Sequence, residues 1–233
     1  MTKIYIDTEF VEGEKSDKHY LELISVGLVK EDGTEYYGIS NEFDFNYAWD
    51  LKDSKSQAFW IRENVLKSIA LELDSRHILN PSDEVIEINT RIFNERWQED
   101  IELIKSNLQR DLELYGLTRK QMAKDIIDFT KEDQEVKCVG YYSSYDWVVL
   151  CSIFGRMLDL PNNFNWVCLD IVSKYNILYD DKVKLNTTFN EWFGTIVKSC
   201  NLQPARIKHN ALDDAKMIRD LDILFPVTQM LFA

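Results

Sequence analysis

The sequence predicts an α/β fold in which a mixed sheet, with three antiparallel strands followed by parallel strands, is flanked by helices. Two observations support this prediction. Strand-like segments joined by a turn open the chain, and later strand-like segments alternate with helical ones. The chain has 233 residues, of which 45% are apolar and 12% aromatic, enough to pack a domain core. We therefore expect residues 1–233 to form a single domain.

The first third of the chain has the pattern of antiparallel strands. Strand character is strongest in Ile4–Phe10, Leu21–Val29 and Glu35–Ile39. Between the last two, Glu31-Asp32-Gly33 has the composition of a hairpin turn.

The middle of the chain has helical periodicity. A first helix is predicted over Phe59–Leu73, and a second, of about eight turns, over Val85–Tyr115. The second prediction rests on apolar residues spaced mostly three to five apart, namely Ile88, Ile92, Trp97, Ile101, Ile104, Leu108 and Leu112. Gly116 is expected to end this helix.

Strands and helices alternate in the rest of the chain. Thr118 and Gln121 form a capping-box signature for a helix that runs to about Phe129, and Asn210 can cap a last helix. The predicted elements after the first of these helices are a strand at Val136–Tyr142, a helix at Tyr145–Met157, a short strand at Trp166–Leu169, a helix at Asn186–Phe193 and the last helix at about Ala211–Leu224.

Composition narrows the class of protein. The four cysteines are widely spaced and never form C-x-x-C, so we expect reduced thiols rather than disulfides or a zinc site. Reduced thiols of this kind predict a cytoplasmic protein. Neither a membrane-spanning run nor a signal peptide is visible. The net charge of −13 argues against wrapping of long nucleic-acid duplexes, which favours basic proteins. Any contact with nucleic acid should be local, at an end, with cations supplying positive charge.

Two acids inside the first strand suggest a metal site. A strand has a period of two, so Asp7 and Glu9 project from one face while Ile6 and Thr8 project from the other. Two neighbouring carboxylates repel each other unless a cation lies between them, and Mg²⁺, Mn²⁺ and Ca²⁺ accept such oxygen ligands. A solvated edge strand is the alternative interpretation.

Two later segments carry further candidates. Asp146 follows a strand and opens a helix, where ligands bind in α/β sheets, although a helix N-terminus favours an acid without any site. His209 and Asp214 are five residues apart and would face apart on one helix. With Asn210 as the cap, however, His209 lies in the preceding loop and is free to turn back. A surface histidine and a solvated first turn are the alternatives.

The order of these motifs resembles the DEDD 3′–5′ exonuclease superfamily, in its histidine-containing branch with a ribonuclease H-like fold. Among its families, the sequence is most similar to RNase AS, the polyadenylate-specific exoribonucleases. The similarity rests on Tyr5-Ile6-Asp7-Thr8-Glu9-Phe10, Glu22-Leu23-Ile24-Ser25-Val26-Gly27, Glu35-Tyr36-Tyr37, Tyr145-Asp146 and His209-Asn210-Ala211-Leu212-Asp213-Asp214-Ala215. It covers roughly residues 1–66 and 118–220.

Two departures accompany the resemblance. The segment from about Lys67 to Gly116 is longer than the family leads us to expect, which implies a helical insertion at about 67–117 within a single exonuclease domain. Proofreading DNA exonucleases usually carry Asn four residues before the middle Asp. That position is Tyr142 here, which argues against the proofreading branch.

The resemblance implies a mechanism and a substrate. Asp7, Glu9, Asp146 and Asp214 would hold two Mg²⁺ or Mn²⁺ ions, and His209 would act as general base toward the attacking water. Nucleoside 5′-monophosphates would be released from the 3′ end of single-stranded RNA, and the similarity to RNase AS implies RNA that is A-rich or poly(A).

The resemblance also implies substrate contacts and an assembly. Thr8 and Phe10 would contact the terminal nucleotide, with Phe10 as a stacking platform unless it belongs to the core. Lys198, Arg206 and Lys208 are candidate phosphate contacts or simply a solvated basic loop. A homodimer is implied, and the inserted helix would form its interface or cover the sheet.

Two other functions compete with an exoribonuclease. The first is a 3′–5′ DNA exonuclease or an oligoribonuclease. The second, of another class, is a non-catalytic nucleic-acid-binding module. A module of that kind would be expected to have lost one or more of the acids, whereas all four and the histidine are present here.

Overall fold

A five-stranded mixed sheet organises the protein. The computed structural model describes residues 1–15, 18–53, 58–75, 83–174 and 209–231. Its strands, β1 (Thr2–Lys15), β2 (Lys18–Lys30), β3 (Glu35–Ile39), β4 (Val136–Gly140) and β5 (Leu169–Asp170), lie in the order β3-β2-β1-β4-β5. The first three strands are antiparallel, whereas β4 runs parallel to β1 and to β5. The predicted α/β, ribonuclease H-like sheet is therefore confirmed.

The turn between β2 and β3 forms where the sequence places it. The Lys30 amide donates to the Thr34 carbonyl at 2.8 Å, and Gly33 takes a φ of 88°, which glycine adopts without steric cost. After β3, a short helix α1 (Phe45–Asp50) that the sequence did not predict is capped by Asp44, whose carboxylate accepts from the Tyr47 amide.

The helical middle is correct in outline and wrong in one respect. Residues Ile61–Leu66 form a π-helical turn that continues into α2 (Lys67–Ser75), close to the predicted bounds. The single helix predicted over Val85–Tyr115 is wrong. Two helices occupy this region, α3 (Asp83–Glu99) and α4 (Ile101–Tyr115), and they are separated at Asp100, where φ is −129° and ψ is 43°.

The break has a packing reason. One helix of 31 residues would be about 46 Å long, whereas two shorter helices can both contact α2 and each other. Trp97 and Leu108 are buried in the resulting core, while Ile88 and Ile92 are 41% and 46% exposed. The apolar spacing therefore did not define one continuous buried face. Gly116 ends α4 as expected.

The elements between residues 118 and 170 are all short, and their ends differ in part from the predicted ones. Helix α5 (Arg119–Thr130) begins with the complete Thr118–Gln121 capping box, as predicted. Helix α6 (Ser144–Ile153) ends earlier than Met157, because Gly155 takes a φ of 104° and a 3₁₀ turn follows at Met157–Asp159. The strand predicted at Trp166–Leu169 begins only at Leu169, and Trp166 and Val167 are exposed.

The last helix packs on the face of the sheet opposite to α5 and α6. Helix α7 (Ala211–Leu231) extends beyond the predicted end at Leu224. Ile4 and Ile6 of β1 pack toward α5 and α6, whereas Tyr5 packs toward Ile218 of α7. The two faces of β1 therefore lead to different helices.

The remaining predictions concern segments outside the described residues, the cysteines, membrane-spanning helices and the domain organisation. The helix predicted at Asn186–Phe193 lies outside the described residues, as do Lys198, Cys200, Arg206 and Lys208. Cys138, Cys151 and Cys168 are free thiols. Within the described ranges, every helix is too short or too polar to cross a bilayer. The single domain with an insertion at about 67–117 stays a prediction.

Candidate active site

Strand β1 supplies the first two acids of the candidate site. Asp7 and Glu9 alternate with Thr8 along the strand, so they face α7 while Thr8 faces α6. The register with β2 shifts just after Glu9, since Glu9 lies opposite Ser25 but Phe10 lies opposite Leu23. Such a bulge bends a strand locally and is common beside active sites.

Helix α6 supplies the third acid. Asp146 lies in its first turn and is 8% exposed. One oxygen of this carboxylate, Oδ1, accepts from the Thr8 amide at 2.9 Å and from the Thr8 hydroxyl at 2.7 Å. The residue between the two acids of β1 thus fixes the acid of α6.

The start of α7 supplies the histidine and the fourth acid. As predicted, His209 precedes the helix and Asn210 caps it, because the Asn210 Oδ1 accepts from the amides of Leu212 and Asp213 at 3.1 and 3.2 Å. His209 takes a left-handed φ of 58°. Asp214 follows within the first turn.

A glycine allows the first turn of α7 to approach the sheet. Gly27 of β2 lies opposite Asp7, and a Cβ at this position would collide with the backbone of Ala211 and Leu212. The absence of a side chain at Gly27 therefore brings α7 close enough to place Asp214 near the acids of β1.

Three of these side chains form a compact group that could hold a metal ion. One ligand atom from each of Glu9, His209 and Asp214 lies within 4.8 Å of the other two. Two are predicted metal ligands, and the third is the predicted general base. Within the described part of the chain, the other two predicted ligands, Asp7 and Asp146, lie outside this three-residue group.

The charges of all four acids nevertheless influence one another's pKa values. Burial raises the pKa of Asp7 well above its usual value, and the charges of Asp146, Glu9 and Asp214 raise it further. Burial, followed by the charges of Asp214 and Asp146, raises the pKa of Glu9 to about 8. The four carboxyls therefore share one region in which negative charge is unfavourable.

The pKa values of Asp146 and Asp214 are also raised, although hydrogen bonds oppose the rise. Burial raises the pKa of Asp146 to about 6, although the hydrogen bonds from Thr8 oppose the rise. Burial and the charge of Asp213 raise the pKa of Asp214 to about 7, against a hydrogen bond from the His209 backbone. Clustered carboxyls with raised pKa values are typical of metal or acid–base sites.

Aromatic side chains flank the acids, and only one of them was among the predicted site residues. Phe10 stacks on Tyr145, with ring centroids 5.6 Å apart and planes inclined by 16°. Trp60 contacts the His209 ring edge to face at 5.0 Å. Tyr145 and Trp60 are 51% and 45% exposed. The adjacency of Tyr145 to Asp146 was visible in the sequence, whereas no sequence signal linked Trp60 to His209.

Comparisons with known proteins identify related sequences. A family model described as the 3'-5' exoribonuclease Rv2179c-like domain matches residues 2–221. Two curated relatives, 3'-5' exoribonuclease Rv2179c and 3'-5' exoribonuclease MT2234.1, come from two strains of Mycobacterium tuberculosis, H37Rv and CDC 1551. Each is 27% identical over 161 residues, which are 68% of this chain and 65% of the relative.

A third match is more local. The proton extrusion protein PxcA of a Synechococcus species is 36% identical over 95 residues, 41% of this chain but only 18% of that protein. This overlap is too small a share of PxcA to bear on function. The family match over residues 2–221 and the cluster of acids with a histidine both indicate the same class of protein.

Proposed function

Since this chain belongs to the 3'-5' exoribonuclease Rv2179c-like domain family, we propose that it is a metal-dependent 3′–5′ exoribonuclease. It releases nucleoside 5′-monophosphates from single-stranded RNA. The observation that carries the proposal is the meeting of β1, α6 and the start of α7, which gathers four carboxyls and an imidazole. This arrangement is also what the resemblance to the histidine-type DEDD exonucleases and to RNase AS implies.

The residues present fit a pair of divalent cations. Asp7, Glu9, Asp146 and Asp214 offer carboxylate oxygens, the donors that Mg²⁺ and Mn²⁺ prefer. The raised pKa values of these acids support the proposal, because a cation among them would relieve the repulsion that burial intensifies. When bound, two such ions would stabilise the attacking and leaving oxygens of an in-line displacement.

His209 is proposed as the general base. Its ring lies close to the carboxylates of Glu9 and Asp214, so a neutral imidazole there can accept a proton from the attacking water. The unperturbed pKa of histidine, about 6.5, suits this role near neutral pH. The same geometry would permit His209 to ligate a metal. A metal titration of His209→Ala distinguishes the two roles, because removal of a base leaves the number of bound ions unchanged.

Phe10 and Thr8 are proposed to contact the terminal nucleotide. Phe10 is partly buried against the core and stacks on Tyr145, whose ring is half exposed. The pair offers an aromatic surface next to Glu9, and base stacking on such surfaces tolerates any base. The Thr8 amide and hydroxyl already donate to Asp146, so Thr8 also serves the site by orienting that acid. Its contact with RNA stays a prediction.

The finer features of the substrate and the assembly rest on the resemblance alone. We propose a preference for A-rich RNA or poly(A) and a homodimer on that basis. The cytoplasmic location is proposed from the cysteine pattern, which is typical of reduced thiols. A 3′–5′ DNA exonuclease or an oligoribonuclease is the nearest alternative, and a non-catalytic binding module is the alternative of another class.

One experiment separates these functions. Purified protein with Mn²⁺ is incubated with four 5′-labelled RNA homopolymers, their DNA counterparts and an RNA dinucleotide. An exoribonuclease gives a descending ladder on long RNA, fastest on poly(A) if the preference holds. Asp7→Asn should remove the ladder by weakening metal binding, while Asp125→Asn, a change on α5 away from the site, should keep it. The absence of cleavage by the unaltered protein, together with no Mn²⁺ binding in calorimetry, would overturn the proposal.

A further inference from the structure

One side of the segment formed by the π-helical turn and α2 contacts the residues that open α7. The Ser68 hydroxyl lies 2.7 Å from the His209 carbonyl oxygen. Four residues later, the Glu72 carboxylate accepts from the Asn210 side-chain amide at 2.6 Å. Trp60, at the start of the π-helical turn, places its ring against the imidazole of His209. Three side chains of one segment therefore contact two consecutive residues more than a hundred positions away.

The His209 backbone requires such support. Its φ of 58° lies in the left-handed region, which residues with a Cβ rarely adopt. Conformations of this kind persist where the surroundings impose them, and they cluster at functional sites. The Asn210 cap fixes the backbone after His209, and the Ser68 contact fixes the His209 carbonyl itself.

We propose that Ser68 and Trp60 are positioning residues for His209: Ser68 holds its backbone and Trp60 holds its ring. This inference rests on the proposed function, in which the His209 imidazole accepts a proton. A base must lie within hydrogen-bond reach of the proton it accepts, and a ring attached to a loop residue would otherwise rotate about its side-chain bonds.

The two residues act on different degrees of freedom. The single hydroxyl proton of Ser68 is shared between the carbonyl oxygens of Val65, at 2.8 Å, and His209, so it ties the loop to the helix. The Trp60 and His209 rings lie at 72° to each other, with centroids 5.0 Å apart. This is within the range that aromatic pairs prefer, and the indole blocks rotation of the imidazole toward that side.

The kinetic test compares two variants with matched controls. Ser68→Ala and Trp60→Leu should each lower kcat for release of the terminal nucleotide by about tenfold or more, with KM changed by less than about twofold. Ser106→Ala removes another helical serine that contacts a backbone carbonyl, and Trp166→Leu removes another exposed tryptophan. Both controls should keep kcat. Unchanged kcat in Ser68→Ala and Trp60→Leu would overturn the proposal.

A double-mutant cycle excludes a merely structural effect. If Ser68 and Trp60 act through His209, neither substitution should lower the residual rate of a His209→Ala protein further. A full, additive loss on that background would show that they act elsewhere and would overturn the proposal. Calorimetric Mn²⁺ binding should be the same in both variants as in the unaltered protein.

A spectroscopic test does not need activity. The ring protons of His209, assigned by their loss in His209→Gln, lie beside the Trp60 indole and carry its ring-current shift in the NMR spectrum. Trp60→Leu should remove that shift, and Ser68→Ala should move the same signals, while Trp166→Leu and Ser106→Ala leave them in place. Unmoved signals would overturn the proposal even if cleavage is observed. If the unaltered protein cleaves nothing, the proposed function fails, while this measurement still decides whether the two residues position the ring.

Discussion

At the residue scale, the four acids of the candidate site lower the stability of the metal-free fold when they are ionised. Four carboxyls meet in a region that burial makes unfavourable for negative charge, and the pKa values of Glu9 and Asp214 rise to about 8 and about 7. A raised carboxyl pKa means that, between about pH 4 and pH 8, the folded protein still holds protons that the unfolded chain has already released. The metal-free protein should therefore lose stability as the pH rises through this range.

Glu9→Gln tests this conflict directly. Glutamine keeps the shape of the side chain without its charge, so the metal-free variant should be more stable than the unaltered protein at pH 8, by on the order of 2 kcal/mol. The gain should shrink toward pH 5, where Glu9 is protonated. Urea unfolding at both pH values in the presence of a chelator measures the difference.

A matched control and a metal arm complete that measurement. Glu132→Gln alters an exposed glutamate and should change stability little at either pH. Saturating Mn²⁺ should stabilise the unaltered protein at pH 8 far more than the Glu9→Gln variant, because ligand binding to the folded state adds to its stability. A Glu9→Gln protein that is less stable than the original at pH 8 would contradict the electrostatic account.

The residues that could be predicted from sequence are those with local signatures. The period of a strand places Asp7 and Glu9 on one face, and a cap at Asn210 frees His209 from the helix, both of which the structure shows. Ser68 and Trp60 could not be found in this way. Their contacts with His209 join segments 141 and 149 positions apart in the printed sequence, and only the packed fold brings them together.

At the element scale, the same distinction separates correct predictions from wrong ones. The capping box of α5 and the turn before β3 are determined within a few residues, and both form as expected. The break between α3 and α4 depends on how α4 packs on α2, so periodicity alone predicted one helix. Strand β5 has only two residues, which pair with the last two residues of β4, and this non-local pairing leaves no signature in the local sequence.

The contact between β2 and α7 is the element-scale feature on which the site depends. In Gly27→Ala, the new methyl group would collide with the backbone of Ala211 and Leu212. The start of α7 must then move and take Asp214 with it. We expect a loss of about 1–3 kcal/mol in stability and at least about tenfold in cleavage rate, measured by urea unfolding and release of labelled nucleotide.

Gly38→Ala is the matched control for this glycine. A Cβ at Gly38 would meet the Tyr36 hydroxyl at 2.8 Å, which is a side-chain atom of β3 and not the backbone of α7. We expect its cleavage rate to stay within about threefold of the original protein, since the start of α7 is not displaced. Unimpaired cleavage by Gly27→Ala would show that α7 need not lie this close to β2.

At the scale of the whole molecule, charge limits how RNA can be bound. A net charge of −13 repels a phosphate backbone, and two divalent ions in the site would offset only part of it. An acidic protein can still hold a 3′ end through those ions and a stacked base, whereas a long track of phosphate contacts would need basic residues along it. The charge therefore favours recognition of the terminus.

Recognition of the RNA terminus predicts that substrate affinity depends only weakly on salt concentration. If no more than about two phosphates are neutralised by side chains, raising monovalent salt from about 50 to 200 mM should raise KM for single-stranded RNA by less than about tenfold. Proteins with six to ten phosphate contacts lose about 10³–10⁵ in affinity over the same range.

Recognition of the terminus also predicts that KM depends little on RNA length. KM for a labelled hexamer and for a 30-mer should agree within about threefold, because each offers one 3′ end. Steady-state cleavage at fixed, saturating Mn²⁺ provides both measurements. A steep salt slope, or a KM that falls strongly with RNA length, would show that the chain follows the RNA backbone despite its acidity.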